Sequence, residues 1–240
     1  MQQELSVEKD LARHETYPFV VRFAEGLTPV SLGGLRDLLR ETYRMVGQPF
    51  DYFPDHPIVV ILYPEHDFYK IRTQSHQVAG LYDGKIRLPL RANGQTSQEL
   101  QRILWHEYTH AVIHDFSKGR CPKWLNEGLA TVQEARVVAL DLAPVKTALQ
   151  AEHLPSWASL WAWSDGELSD EALVLRYGQA SLIAQYLVKL RGWIAMKKVL
   201  VRLGDGATIE AALKAEYRRT PAELEQEWSA WVRRELHVTR

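Results

Sequence analysis

The first half of the chain alternates between strand-sized apolar runs and one helical stretch. Residues 17–23 form a short β-rich run, and residues 57–63 form a nearly continuous β-branched run bounded by prolines, which is typical of a buried strand. Between them, leucines at helical spacing predict a helix over 32–46. Residues 78–90 predict a hairpin, because the turn-forming pair Asp83-Gly84 lies between two apolar segments.

From Thr96 onwards, the spacing of apolar residues becomes helical. Thr96 and Glu99 match a capping box at the start of a helix that breaks at Gly119. Further helices are predicted from Pro122 to the region of Val137 and over 179–191, 193–203 and 209–217, with Gly192 and Gly204 as C-terminal stops. The last helix begins at Thr220-Pro221-Ala222-Glu223, a second capping box. The change from strands to helices near residue 95 predicts an α+β fold with two lobes and a cleft between them.

The composition is that of a globular protein without a face for binding polyanions. Hydrophobic residues make up 46% of the chain and charged residues 25%, and the formal net charge is −1. Neither nucleic acid nor an anionic membrane is therefore an expected partner. The single cysteine, Cys121, excludes an internal disulfide and a zinc site built from several cysteines. We expect the tryptophans at 157, 161 and 163 to fill the core or a cleft rather than to stack on a ligand.

Membrane and export signals are weak in this sequence. The densest apolar run, residues 58–63, is far shorter than the roughly 20 residues of a membrane-spanning helix. The first residues lack the basic start and apolar centre of a secretory signal. We therefore expect no membrane span, and a cytoplasmic location if the chain is complete; the compartment and the oligomeric state stay open.

The helix predicted from Thr96 carries an H-E-x-x-H pattern, His106-Glu107-Tyr108-Thr109-His110. Residues four apart lie on one helical face, so both imidazoles can bind one metal ion from the same side. Glu107 points about a third of a turn away. Its carboxylate is therefore expected beside the metal rather than on it, where it can take a proton from a water molecule.

A third metal ligand is predicted on the next helix. Glu127 lies in the segment Trp124-Leu125-Asn126-Glu127-Gly128, and a helix folding back after a short loop would turn its carboxylate towards the histidine pair. Two histidines and one glutamate leave a fourth position for water, as in catalytic zinc sites. His110 and His114 are also four apart, but Ala111 follows His110, so that pair lacks an adjacent carboxylate to act as a base.

The combination of HEYTH with WLNEGLA resembles the gluzincins, especially the peptidase MA-like domains related to the zinc aminopeptidases. The resemblance covers roughly residues 17–235 and implies zinc as the cofactor, with His106, His110 and Glu127 as its ligands and Glu107 as the base. The sixteen residues from 111 to 126 make a shorter connection than is usual in the aminopeptidases, and a shorter loop accounts for the difference.

The resemblance also implies a domain organisation and one further catalytic residue. Residues 17–240 are expected to form a single zincin-like domain, with a strand-rich lobe over about 17–95 and a helical lobe over about 96–240, after an N-terminal extension of residues 1–16. The aminopeptidases use a downstream tyrosine to stabilise the tetrahedral oxyanion, and Tyr177 is the candidate here. The alternative role for Tyr177 is packing at a helix start.

One departure from the aminopeptidases bears on the substrate. They carry a G-x-M-E-N segment whose glutamate captures the free amino terminus, whereas the corresponding segment here is Ala79-Gly80-Leu81-Tyr82-Asp83, without that acidic anchor. We therefore expect an endopeptidase that acts on a peptide or protein laid along the edge strand at 78–82. The alternative is a catalytically silent gluzincin-fold domain that binds peptides or serves as a scaffold, and a purely structural zinc site would need a fourth protein ligand.

Overall fold

Five strands form one mixed sheet in the first half of the chain. The computed structural model describes residues 11–23, 32–71, 80–90, 96–163 and 168–238. The strands are β1 (Ala12–Thr16), β2 (Phe19–Phe23), β3 (Ile58–Pro64), β4 (Leu81–Tyr82) and β5 (Ile86–Leu90), in the order β1-β2-β3-β5-β4. The three middle strands are parallel, and β1 and β4 pair with them antiparallel. Strands β3 and β5 are buried along almost their whole length, and apart from Arg87 of β5 their sequences are apolar without alternation.

The predicted hairpin is confirmed in the part of it that the structure describes. Leu81 pairs with Arg87 and Tyr82 with Ile86, and Gly84 makes the turn with a φ of 94°. A positive φ is easily adopted by glycine, which explains the turn-forming Asp-Gly pair. Residues 78 and 79 of the predicted edge strand lie outside the described residues.

Strand β1 was not predicted. Its residues, expected to belong to an N-terminal extension, pair antiparallel with β2 from Ala12 opposite Phe23 to Thr16 opposite Phe19. The described part of that extension therefore belongs to the sheet. The segment Ala-Arg-His-Glu-Thr is mostly polar because β1 is an edge strand with alternately exposed side chains.

Helices lie between and after the strands along the first half of the chain. Helix α1 (Leu32–Thr42) continues as a π-helical turn over Tyr43–Gly47 and a 3₁₀ turn over Gln48–Phe50. This stretch agrees with the helix predicted over 32–46. Helix α2 (Glu65–Ile71) was not predicted. Helix α3 (Ser97–Ser117) begins with the predicted capping box, since the Glu99 backbone N–H donates to Thr96 Oγ1 at 3.1 Å and the Thr96 N–H donates to the Glu99 carboxylate at 3.0 Å.

Six helices follow in the described part of the second half. They are α4 (Lys123–Glu134), α5 (Ala143–Gln150), α6 (Trp157–Trp161), α7 (Asp170–Gly204), α8 (Ile209–Tyr217) and α9 (Pro221–Glu235). Helix α7 starts at Asp170, earlier than predicted, and is interrupted at Gly192, where φ is 75° and ψ is 172°. That interruption corresponds to the predicted stop between two helices. The α+β class predicted from the sequence is thus confirmed.

The contacts divide the chain into two compact units, Met1–Ala111 and Val112–Arg240, with the boundary inside helix α3. The first unit takes in most of α3 because this part of the helix packs on the sheet through Tyr108, whose ring centroid lies 5.3 Å from that of Phe19. None of the helices in the described ranges combines the length and the apolar character that crossing a bilayer requires.

The second unit has an aromatic core in which two helices touch at backbone distance. Trp124 of α4 stacks on Trp161 with ring centroids 6.3 Å apart, and Trp157 is 1% exposed, so these tryptophans serve packing as expected. A Cβ atom placed on Gly128 of α4 would lie 2.5 Å from the carbonyl oxygen of Ala180 in α7. Only glycine allows this close approach.

This contact predicts a difference between two glycine-to-alanine substitutions. Gly128→Ala should lower the free energy of unfolding by about 1–3 kcal/mol, because the new methyl group meets backbone that cannot turn away. Gly178→Ala in α7 is the matched comparison and should lose less stability, since its methyl would meet a side-chain methyl group, Cγ2 of Val145, rather than backbone. Urea unfolding of both variants checks the prediction; equal stability losses would contradict it.

Candidate metal centre

The buried side of helix α3 fixes the direction of its histidines. Tyr108 is fully buried, and its ring packs against Phe19 and Tyr52 with centroid distances of 5.3 and 6.3 Å. It lies two residues from both His106 and His110, which puts the two imidazoles on the opposite side of the helix. The packing of one aromatic residue therefore orients both candidate ligands.

His106 and His110 form a close pair on that side. Their ring centroids are 4.8 Å apart and their planes are inclined by 83°. His110 is 9% exposed, whereas His106 is more accessible. Two imidazoles in this arrangement can direct one nitrogen each towards a common ion.

Glu127 lies on the next helix, α4, which begins at Lys123 after a tight return. In that return, Lys118 and Gly119 adopt left-handed backbone conformations with φ of 52° and 73°. The following turn of α4 is held by the close contact of Gly128 with the backbone of α7. Glu127 is partly exposed while its neighbour Gly128 is buried, so the position of the carboxylate follows from the packing beside it.

The three side chains fit a divalent metal ion. One ligand atom each from His106, His110 and Glu127 lies within 4.8 Å of the other two. Atoms bound to one zinc ion at about 2.0–2.2 Å in tetrahedral geometry lie roughly 3.3 Å apart, so small side-chain rotations bring the three together. Two imidazole nitrogens and one carboxylate oxygen are the donors of catalytic zinc sites. Among the described residues, the group holds no fourth protein ligand.

Two neighbouring side chains lie outside this group. Burial, and secondarily the negative charge of Glu127, raise the pKa of the Cys121 thiol, which therefore stays protonated near neutral pH. His114 has a side chain that is 54% exposed, and its Nδ1 lies 3.8 Å from the Asp115 carboxylate. The structure thus brings His110 together with His106 and Glu127, and not with His114.

Glu107 is a buried carboxylate, 3% exposed, next to His106 in the sequence. A Cβ atom on Gly80 would lie 2.7 Å from both Cγ and Oε1 of Glu107. The backbone at Gly80 is therefore packed directly on the carboxylate. Burying a carboxylate is costly unless an opposite charge lies near. A cation held by the adjacent histidines would meet that need.

Tyr177 lies in α7 and packs on Trp163. Their ring centroids are 5.1 Å apart and their planes are inclined by 88°, an edge-to-face contact. Tyr177 is three residues before Ala180, so it lies about one helical turn from the crossing with α4. This contact gives Tyr177 a packing role, and its catalytic role stays a prediction.

The packing of the segment of the β4–β5 hairpin at Gly80 against Glu107 was not predicted from the sequence. Arg87 is 5% exposed, and its guanidinium donates to both carboxylate oxygens of Asp83, at 3.1 and 3.2 Å, and to the hydroxyl of Tyr63 at 2.6 Å. The indication present in the sequence was Gly80 within the predicted strand over 78–82, because a glycine inside a strand often marks a site where another part of the protein approaches the backbone closely. The sequence does not reveal what approaches Gly80.

Comparisons with known proteins agree with the two motifs. The sequence model of a family described as the Peptidase MA superfamily matches residues 95–234. A solved structure that the fold resembles is the crystal structure of a two-domain M1 zinc metallopeptidase mutant bound to L-arginine, at 19% identity and a TM-score of 0.45. The match covers 89% of this chain and 48% of that one, so the present chain spans about half the length of that protein. No curated protein matches at a significant level.

The family match extends over more than half of the chain and includes both HEYTH and WLNEGLA. It confirms the resemblance inferred from those motifs. The chain belongs to the Peptidase MA superfamily.

Proposed function

We propose that this protein is a zinc-dependent peptidase that hydrolyses internal peptide bonds with Glu107 as the general base. The observation that carries the proposal is the convergence of ligand atoms from His106, His110 and Glu127 within 4.8 Å, beside a carboxylate that is 3% exposed. Membership in the Peptidase MA superfamily supports the same reading.

The metal would be held by His106, His110 and Glu127. Zinc bound there would supply Lewis-acid polarisation of the scissile carbonyl and would lower the pKa of a water molecule. The protein contributes the geometry, since one histidine pair comes from α3 and the carboxylate from α4. A set of three protein ligands leaves a position for water or substrate.

Glu107 would move the protons of the reaction. As a base, its carboxylate takes a proton from the attacking water; it then delivers that proton to the amine of the leaving group. The carboxylate is buried, so its local dielectric is lower than that of bulk water and its interactions with charged groups are stronger. Tyr177 would donate a hydrogen bond from its hydroxyl to the oxyanion that forms at the attacked carbonyl.

Endopeptidase action is supported by the edge of the sheet. Strand β4 ends the order of the described sheet, and an extended peptide would lie along this edge in the proposed reaction. The acidic side chain in the segment 79–83 is Asp83, and it is bound to Arg87 at 3.1 Å. That carboxylate is therefore committed to the hairpin and is a poor anchor for the amino terminus of a substrate.

Metal content tests the ligand set. Purified protein should contain one zinc ion per chain, and His106→Ala, His110→Ala and Glu127→Ala should each lose it on dialysis, because two remaining ligands bind zinc weakly. His114→Ala is the control on the same helix and should retain zinc, since this side chain is exposed. Retention of zinc by all three ligand variants would contradict the assignment.

Glu107→Gln tests the general base. Wild-type protein should cleave peptides that are blocked at both ends, and the variant should retain zinc while its kcat falls by about 10²–10⁴-fold, the usual contribution of a positioned base. A library of N-acetylated and C-amidated peptides analysed by mass spectrometry measures both. Full activity of the variant would reject the base; zinc-loaded wild type that cleaves nothing would favour the silent binding domain.

Tyr177→Phe tests the oxyanion contact without removing the ring that packs on Trp163. We expect kcat to fall by roughly 10²–10³-fold with little change in KM, because the lost hydrogen bond forms only as charge develops on the oxygen. Tyr186→Phe is the control on the same helix, since its hydroxyl donates to Glu227 at 2.9 Å. Equal kcat values for the two variants would assign Tyr177 to packing alone.

A further inference from the structure

We infer that Gly80 is a positioning residue: the absence of a side chain there lets the hairpin backbone lie against the Glu107 carboxylate and hold it where it can transfer a proton. The inference rests on the proposed function, in which Glu107 is the base. It concerns a residue whose position before strand β4 would otherwise suggest only a role in substrate binding or in the turn.

The contact is closer than any residue other than glycine allows. A Cβ atom on Gly80 would lie 2.7 Å from Cγ and from Oε1 of Glu107, and 2.8 Å from Cγ2 of Ile103. Gly80 is itself buried. An added methyl group must therefore displace its neighbours by more than half an ångström before ordinary contact distances, which begin near 3.4 Å, are restored.

The hairpin is anchored more firmly than the Glu107 side chain. Gly80 directly precedes β4, whose Leu81 pairs with Arg87 of β5. Arg87 is buried, and its guanidinium binds Asp83 across the turn and Tyr63 of β3. Strand β5 also pairs with β3 inside the sheet. The atoms that must yield to a methyl at position 80 are therefore side-chain atoms of α3, namely Cγ and the carboxylate of Glu107 and Cγ2 of Ile103.

A displaced carboxylate has a functional cost rather than a structural one. A general base must lie about 2.6–3.2 Å from the atom whose proton it takes. A misplacement of about 1 Å in an active site can reduce the rate by about 10²-fold. Stability should fall less than in Gly128→Ala, because the atoms that the methyl group meets are side-chain atoms. In this respect Gly80 differs from Gly128, where the neighbour is backbone.

The experiment compares zinc-loaded Gly80→Ala with Gly84→Asn, a control at the turn of the same hairpin. A Cβ atom at position 84 would meet nothing within 4 Å, and asparagine is among the residues with a side chain that best tolerate a positive φ, so the strain of this substitution stays at the turn. We expect kcat of Gly80→Ala to fall about 10–100-fold. Its KM and zinc content should stay close to those of the wild type, its melting temperature should fall by less than that of Gly128→Ala, and Gly84→Asn should keep wild-type kcat. A raised KM with unchanged kcat, or equal losses of kcat in both variants, would overturn the inference.

A crystal structure of Gly80→Ala supplies a readout that does not depend on activity. The inference requires the Glu107 carboxylate to move by more than half an ångström while the backbone of the hairpin stays in place. A carboxylate in its original position with a shifted hairpin would overturn it. If the carboxylate moves but the wild-type protein hydrolyses no peptide, the positioning contact stands and the proposed function fails. If Gly80→Ala hydrolyses peptides at the wild-type rate, the inference fails and the proposed function stands.

Discussion

The close contact between Gly128 and Ala180 is the constraint on which the proposed metal centre depends. A methyl group at position 128 would lie 2.5 Å from the Ala180 carbonyl oxygen, so the two helices can approach this closely only because the residue after Glu127 is glycine. A carboxylate can serve as a metal ligand only if its helix is held to within a few tenths of an ångström. The Glu-Gly pair of WLNEGLA therefore combines the proposed ligand with the packing residue beside it.

One side of helix α3 packs in the core, and the other side carries two of the candidate metal ligands. Tyr108 is buried against Phe19 and Tyr52, and this packing turns His106 and His110 the other way. Glu107 lies between these two sides and is 3% exposed. A carboxylate in such surroundings interacts strongly with any nearby charge, because little water screens it. In the proposed function, this burial would strengthen the interaction of the carboxylate with a metal ion held by the adjacent histidines.

The elements that the sequence predicts well are those with local signals. The capping boxes at Thr96 and Thr220 and the turn at Gly84 are set by neighbouring residues, and the structure has each of them. Strand β1 was missed because its polar sequence becomes a strand only by pairing with β2. The H-E-x-x-H spacing and Glu127 could be read from the sequence in the same local way. The contact between Gly80 and Glu107 could not, because it depends on how a distant hairpin packs against α3.

The ion pair between Arg87 and Asp83 links the rigidity of the hairpin to the expected choice of substrate. Arg87 is buried, and Asp83, 3.1 Å away, supplies a counter-charge for its guanidinium. In the proposed function, this ion pair makes Asp83 a poor anchor for the amino terminus of a substrate. The interaction that holds the backbone at Gly80 against Glu107 thus also removes an acidic group from the edge strand. In the proposed endopeptidase reaction, an extended peptide would lie along this edge through its backbone and would not need to end there.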